Sequence, residues 1–421
     1  MINKYGAKAG LVLALGLIIG CDKLEDPMLL STVNSEAEAG IIGVAPLSAE
    51  RHIVRLSDSF FDLPMDMDSK EDYFQVKAMF ENTLFPFLEG LGLDASQVIH
   101  TYHSVYYGFA IEGLQPWQQA LLAANPLVAE IVHDEEVKIM GQVDGKMEQS
   151  NLKGQSTPWG INRVGTGNGE GKTAWILDTG VDLDHPDLNV DVTRSISFCT
   201  SDGFLGNGDD THGHGSHVAG TIGALDNNIG VVGVAAGCSV VSVKVLAANG
   251  SGLLTDVIAG VDYTSAVSLP GDVANMSLGA PANSLVDLAV QSAALAGTWY
   301  ALAAGNEHDD ANNHSPARVN GPFIVTISAF RSGDRWAGFS NYGNPPVDFG
   351  EPGQSIYSTY KNGGYRTMSG TSMATPHAAG ILLMNNGLPI QDGTVLYDPD
   401  GNPDPIGIVD PSGPGNILLP L

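Results

Sequence analysis

From about residue 155 onward, short apolar strands alternate with helical segments. No other feature of the sequence restricts the fold as tightly. "TAWILDTGV" (173–181), "VVSVKVL" (240–246), "VANMSL" (273–278), "WYALAAGN" (299–306) and "FIVTISAF" (323–330) are near-continuous apolar runs. Strands of that kind are covered on both faces. "HGSHVAGTIGAL" (214–225), "LLTDVIAGVDYTSAV" (253–267), a stretch near 284–296 and "SMATPHAAGILLMNN" (372–386) read as helices. The alternation predicts an α/β domain over 155–421 built on a doubly wound parallel sheet. The last 35 residues are rich in Pro, Gly and Asp and are expected to wrap the surface.

Upstream, residues 51–140 carry a different order. "HIVRL" (52–56) reads as a strand. Residues 69–90 place Phe74, Val76, Met79, Phe80 and Leu84 at helical spacing. Residues 97–114 read as two strands with a turn near His103-Ser104. A helix follows over 116–124, opened by Pro116, and a closing strand over 128–140. The order β-α-β-β-α-β is that of a small ferredoxin-like α+β domain. Residues 141–154, "GQVDGKMEQSNLKG", are polar and turn-rich and predict a linker open to cleavage. Residues 22–50 show no periodicity and read as a tether.

The first 21 residues form a targeting segment. Lys4 and Lys8 precede the apolar run "AGLVLALGLIIG", which is too short to span a bilayer and reads as a signal peptide. "IIGC" (18–21) resembles the lipobox of bacterial lipoproteins, which implies lipidation at Cys21. Acidic residues outnumber basic ones by 47 to 19, for a net charge of -28. That balance excludes nucleic acid and anionic lipid headgroups as partners, and it suits Ca²⁺. Cys199 and Cys238 remain in the exported part, and nothing in the sequence brings them within bridging distance.

"DTHGHGSHVAG" (210–220) sets three histidines within six positions. One reading is a metal centre. His212-x-His214-x-x-His217 fits the spacing of metallo-β-lactamase-type hydrolases, although Ser216 stands where those carry Asp. A zinc reading leaves Ala219, Gly220 and the small-residue helix after them unexplained. The other reading is nucleophilic catalysis. "HGSHVAGTI" is similar to the histidine motif of the subtilisin-like serine proteases, with Ser216 in place of the usual Thr. "DTGV" (178–181), "ALAAGNEH" (301–308) and "GTSMATPHAAG" (370–380) resemble the other three segments of that family. The chain order Asp178, His214, Ser372 is also that of subtilisin, an example among general descriptions of such triads.

That resemblance, over roughly 150–421, implies a serine endopeptidase. Ser372 would be the nucleophile, His214 its base, Asp178 the group orienting the imidazole, and Asn306 an oxyanion donor. His217 would be buried and structural, and His212 a solvated surface residue. Ser251 and Gly252 on one side, and Ser277, Leu278 and Gly279 on the other, would flank an extended peptide substrate. A specificity pocket near 277–279 and 303–318 would hold Glu307, which would favour basic side chains. The resemblance also implies a structural Ca²⁺ on the side chains of Gln155, Asp187 and Asn227 and the carbonyls of Leu225, Ile229 and Val231. Residues 51–140 would be a propeptide acting as an intramolecular inhibitor, with autocatalytic cleavage near Lys153 or Gly154. The expected protein is a monomer, exported, and either held at the cell envelope by lipid or secreted after processing. The rival to the enzyme is a catalytically silent envelope protein whose plugged fold serves only to bind.

Overall fold

The structure is a computed structural model that describes residues 50–62, 67, 69–144, 148–149, 154–202, 206–413 and 416–417. The signal segment with Cys21, and all of the tether but its last residue, lie outside the described residues. The N-terminal module begins with the strand Arg51–Leu56 and the helix Lys70–Gly90. Ser69 starts that helix by accepting the Asp72 N–H, and Tyr73, Val76, Phe80, Leu84 and Leu88 form its buried stripe. Phe74 and Met79, expected on the same stripe, face solvent instead. The strands Val98–Tyr102 and Gly108–Glu112, the helix Pro116–Ala123 and the strand Val128–His133 complete the module. Its four strands lie in the antiparallel order Val98–Tyr102, Gly108–Glu112, Arg51–Leu56, Val128–His133, with the ferredoxin-like connectivity that the element order implies.

The expected closing strand over 128–140 is two strands in two different sheets. Val128–His133 closes the module, whereas Glu136–Ile139 pairs elsewhere. The break falls at Asp134 and Glu135. The Asp134 carboxylate accepts the Thr255 N–H at 3.0 Å, and the Glu135 carbonyl accepts the Leu254 N–H at 3.0 Å. Both donors belong to the first turn of the helix Leu254–Val267, where N–H groups have no partner inside the helix. Capping that helix pulls the chain out of its own sheet.

The large domain is built on an eleven-stranded sheet. Its central strands, Ser239–Lys244, Thr173–Asp178, Val273–Met276, Trp299–Ala303, Ile324–Arg331 and Val347–Pro352, run parallel in that spatial order. Alternate residues of each strand enter different cores. Trp175, Leu177, Val241 and Val243 pack with the helices Leu254–Val267 and Ser284–Ala294. Ala174, Ile176, Val240 and Ile327 pack with His214–Gly223 and Thr371–Asn385 on the opposite face. Layers on both sides explain why these strands read as unbroken apolar runs. The C-terminal segment does more than wrap the surface: Pro405–Ile408 joins the sheet beside Val347–Pro352, and Ile390–Thr394 pairs antiparallel with Pro405–Ile408 as the sheet's edge strand. Cys199 and Cys238 are separate buried thiols.

Module and large domain share one apolar core in which Ile53, Tyr73, Tyr102 and Tyr106 meet Tyr263 and Val267. A polar clamp accompanies it. The N–H groups of His103, Ser104 and Val105 all donate to Asp262 Oδ1, at 3.0, 2.7 and 2.9 Å. Asp262→Ala leaves three inward-facing donors without an acceptor, at about 1–3 kcal/mol for each one that water cannot reach. Asp262→Ala protein is therefore expected to unfold at clearly lower urea concentration than wild type, with Asp262→Asn in between. Equal midpoints for all three proteins would contradict this account of the interface.

Candidate active site

Asp178 is the last residue of the strand Thr173–Asp178, at the carboxyl edge of the sheet where doubly wound folds place their sites. His214 is the first residue of the helix His214–Gly223 and Ser372 the second of Thr371–Asn385. All three side chains are fully buried. His214 Nδ1 lies 2.7 Å from Asp178 Oδ1, and the same oxygen takes the Thr179 N–H at 2.7 Å. The ring nitrogen facing a carboxylate carries the proton, which leaves Nε2 as the free lone pair. His214 Nε2 has no hydrogen-bond partner, and the Ser372 hydroxyl donates instead to the Ser277 carbonyl at 2.9 Å.

The loop before His214 is held by Asp210. Its carboxylate accepts the N–H groups of His212, Gly213 and Ser216 and the hydroxyls of Thr179 and Ser216. Gly213 has φ 110°, and a Cβ there would sit 2.2 Å from the Tyr360 ring, so glycine is required twice over. His217 is buried as expected, with Nε2 at 3.0 Å from the carbonyls of both Ile356 and Arg366. His212 is not the solvated residue expected: it is partly buried, its Nδ1 accepts the His214 N–H at 3.3 Å, and burial lowers its pKa. Among the described residues no three His, Cys, Asp or Glu side chains gather as metal ligands, so the zinc reading falls.

The segments expected to flank a peptide do flank one, and it belongs to this chain. Glu136–Ile139 lies antiparallel between Ser251–Leu253 and Leu278–Pro281. Ser251 pairs with Lys138, Gly252 with Val137, Leu278 with Ile139 and Gly279 with Lys138. The Met140 N–H donates to the Ser277 carbonyl at 3.2 Å, and the Met140 carbonyl accepts the Ser372 N–H at 3.0 Å. Past this point the chain continues along the strand Gly364–Ser369, with Gln142 opposite Ser369 and Val143 opposite Met368. The side chain of Met140 lies against Gly279, where a Cβ would come within 2.3 Å of its terminal methyl. A cavity of about 650 Å³ adjoins it, lined by Ala280, Pro281, Asn306, Glu307 and His314 among others. Glu307 Oε2 is held by Asn341 Nδ2 at 2.7 Å.

Asn306 is oriented by a residue that sequence reasoning missed. Thr371 donates its N–H and its hydroxyl to Asn306 Oδ1, at 2.9 and 3.0 Å. With the oxygen engaged there, the amide NH₂ is the end left to donate. Thr371 stands directly before Ser372, and only its adjacency could have flagged it. The threaded Met140 was equally illegible, because "VKIM" reads as an ordinary strand.

The six residues expected at a cation also gather. Gln155 Nε2 donates to the carbonyls of Leu225, at 2.7 Å, and Val231, at 3.3 Å, so two carbonyls converge on one point. Asp187 is buried and accepts from Asn227 Nδ2, the Val231 N–H and the Tyr365 hydroxyl. Burial pushes its pKa up. The Ile229 N–H closes the loop on Asn227 Oδ1 at 2.7 Å. One carboxylate, backbone carbonyls and side-chain amides make an oxygen-rich set that fits Ca²⁺.

A model of the subtilase family matches residues 169–386. Alkaline serine exoprotease A of Vibrio alginolyticus is 38% identical over 69% of this chain, which spans about half of that relative (53%). Extracellular serine proteinase of Thermus sp. (strain Rt41A) is 37% identical over 70% of this chain and 69% of its own length. A crystal structure of a cold adapted subtilisin-like serine proteinase superposes with a TM-score of 0.52 at 37% identity, covering 60% of this chain and 98% of that one.

Two buried imidazoles beside the site set a pH dependence. Burial drives His217 down to about 3 and His377 to about 4 from an ordinary 6.5. Both rings stay neutral in the folded protein at pH 5, whereas the unfolded chain protonates them. For these two rings the unfolded state binds more protons below pH 6.5, so their contribution to stability falls as pH drops toward 4, by up to about 1.4 kcal/mol per pH unit for each ring. Above pH 6.5 these rings add no slope. Burial pushes the carboxyls of Asp134 up to about 7 and of Asp182, Asp348 and Asp404 to about 6, which acts in the opposite sense. The check is therefore a difference: from pH 7.5 to 5 the urea midpoint of Ser372→Ala protein should lose more, or gain less, than that of Ser372→Ala with His377→Gln, and equal changes would refute it.

Proposed function

Because this chain belongs to the subtilase family, we propose that it is an exported serine endopeptidase, made as a self-inhibited precursor and represented here before its first cut. The observation that carries the reading is the Met140 carbonyl, which accepts the Ser372 N–H while strands on both sides hold the segment as a substrate would be held. In this reading the Ser372 hydroxyl rotates from the Ser277 carbonyl to His214 Nε2, which takes its proton as Oγ attacks the Met140 carbonyl carbon. The new oxyanion is met by the Ser372 N–H and the Asn306 amide. As the C–N bond to Gly141 breaks, His214 returns the proton to the departing nitrogen, and water then hydrolyses the acyl ester by the same route in reverse. Asp178 keeps the imidazole in the useful tautomer and stabilises its charged form.

The first cut is thus assigned to Met140–Gly141 rather than to Lys153 or Gly154. It divides residues 51–140, the inhibitor, from a catalytic chain that begins at Gly141. It also parts the catalytic chain from Cys21, so a lipid anchor there would retain the enzyme only while the inhibitor stays bound. Proteins or peptides are the proposed substrates. The 650 Å³ cavity beside Met140 exceeds what that side chain fills, and Glu307 on its wall favours basic residues there.

Ca²⁺ is proposed on the side chains of Asp187, Gln155 and Asn227 and the carbonyls of Leu225, Ile229 and Val231. When bound it would supply positive charge to a buried carboxylate and would take no part in the reaction. Its role would be to fasten the segment at Gln155 to the loop 225–231.

Two outcomes test the enzyme. Purified wild-type protein should yield Gly141 as a new N-terminus and react with a fluorophosphonate, whereas Ser372→Ala should stay uncut and unlabelled. Wild type that neither cuts nor labels would leave the silent binding protein as the better account. Asn306→Ala should fold but lose roughly 10²–10³ in kcat, the loss associated with one oxyanion donor in subtilisin. For calcium, chelation should lower the Tm of wild type and leave Asp187→Asn, already less stable, unmoved. Equal Tm values for wild type with and without chelator would discard the site.

A further inference from the structure

We propose that the loop 397–405 is a Ca²⁺ site, separate from the cluster at Gln155 and Asp187, that fastens the two C-terminal strands to the large sheet. The proposal does not depend on the protease reading. The loop, "YDPDGNPDP", sets Asp398, Asp400, Asn402 and Asp404 at every second position across a glycine turn. Oxygen-bearing side chains at that spacing are how a single loop wraps a hard cation. The loop lies beyond residues 169–386, so it is not among the features matched by the subtilase model.

Spacing alone does not make a site, and the second observation is the burial at Asp404. This residue is fully buried. Its Oδ2 takes the Ser328 hydroxyl, and its Oδ1 has no hydrogen-bond partner. The Asn344 side chain lies beside it, with Nδ2 at 3.5 Å from the Asn402 carbonyl, and Asn344 Oδ1 is likewise buried without a partner. Two neighbouring oxygens thus lack a donor, which is costly for an amide and more so for a carboxylate. Asp398 closes over the same turn: its carboxylate accepts the Asp404 N–H at 3.2 Å and the Asp400 N–H at 3.4 Å. Burial, and after it neighbouring carboxylates, hold Asp398 and Asp404 above the ordinary carboxylate range. Arg335 meets the loop through the Tyr397 ring, 5.8 Å from its centroid.

A proton would neutralise Asp404 alone and leave the charges of Asp398 and Asp400 crowded together, whereas a divalent cation relieves all three. Among the described residues no three acidic or imidazole side chains gather at one point. The protein's share is therefore the two carboxylates of Asp398 and Asp404 with Asn344 Oδ1 and the Asn402 carbonyl, and water completes the shell. Asp398 is half-buried and Asp400 exposed, so the outer side of the loop is open to solvent. Such a site belongs to the roughly millimolar class of extracellular calcium modules, empty at trace calcium and filled on adding the ion. The Val395 N–H donates to the Asp404 carbonyl at 2.9 Å, which ties together the ends of Ile390–Thr394 and Pro405–Ile408. Asn344 stands just before Val347–Pro352, the strand beside which Pro405–Ile408 lies. One ion joins the hairpin to its neighbour in the sheet.

The test uses Ser372→Ala/Asp187→Asn protein, in which self-cleavage and the other cluster are both disabled. Adding CaCl₂ to about 10 mM after chelator treatment should raise its Tm by about 2 °C or more, and MgCl₂ by much less. Asp398→Asn in the same background should abolish the calcium rise. Asp404→Asn should reverse order with the ion. Without calcium it is at least as stable as its parent, because an uncompensated buried carboxylate has gone, and with calcium it is less stable. Should Asp404→Asn not fold, Asp398→Asn decides. Terbium, a luminescent substitute for calcium, should bind saturably and be displaced by Ca²⁺, and Asp398→Asn should weaken it about tenfold or more. Equal shifts with calcium and magnesium, or the same calcium shift in Asp398→Asn as in its parent, overturn the site and leave Asp404 as a protonated acid.

Discussion

A carboxylate and an imidazole buried together at the end of a strand set the terms for the rest of this molecule. Asp178 and His214 touch at 2.7 Å with neither exposed to water. Water cannot orient the ring there, so the fold must. The sheet fixes Asp178, Asp210 ties down the loop ahead of His214, and the Gly213 turn lets that loop pass the Tyr360 ring. Lys244, directly opposite Asp178 in the neighbouring strand and fully buried, donates to the Thr179 and Leu246 carbonyls at 2.7 and 2.8 Å. It braces both strand ends at the level of the reacting groups. The helix Thr371–Asn385 then carries Ser372 to the same edge from the other side of the sequence.

The cleft and the inhibitor are two aspects of one hydrogen-bonding problem. Ser251–Leu253 and Leu278–Pro281 each turn one edge toward the gap between them, and an edge left open there would attract any extended chain. Here the chain fills the gap with Glu136–Ile139. The Asp134 and Glu135 groups at the start of the helix Leu254–Val267 fix where that segment enters. The module grips the same helix through Asp262, so segment and module share one anchoring element. Under the proposed chemistry an inhibitor of this design is held by the contacts that would hold a substrate.

How much of this was legible in the sequence depended on whether the signal was local. Strands buried on both faces announce themselves, which is why Thr173–Asp178, Ser239–Lys244 and Ile324–Arg331 were readable from apolar runs alone. Ile356–Tyr360 and Gly364–Ser369 were not, because "IYSTY" and "GYRTMS" mix polar and apolar residues and their partner strands come from distant parts of the chain. The motifs around Asp178, His214 and Ser372 were legible because each is a short local run, and the fold brings Asp178 and His214 into contact. What they could not convey was state. Nothing in "VHDEEVKIM" says that the strand is interrupted so that Met140 can lie at Ser372, and nothing near His212 says that its ring accepts from His214 instead of facing water. Both are decided by long-range packing.

The linker 141–154 ties these features into one physical scheme. In the uncut chain Met140 already lies at Ser372, and Gln155 already lies at the Leu225 and Val231 carbonyls. Among the described residues between them, Gln142, Val143, Glu148 and Gln149 pair with Gly364–Ser369. The catalytic domain can therefore reach its final packing before any bond is broken. The proposed cleavage would then have one remaining task, which is to uncouple the module. Under the proposed chemistry, progress from precursor to working enzyme would then turn on how fast segments leave the cleft edges.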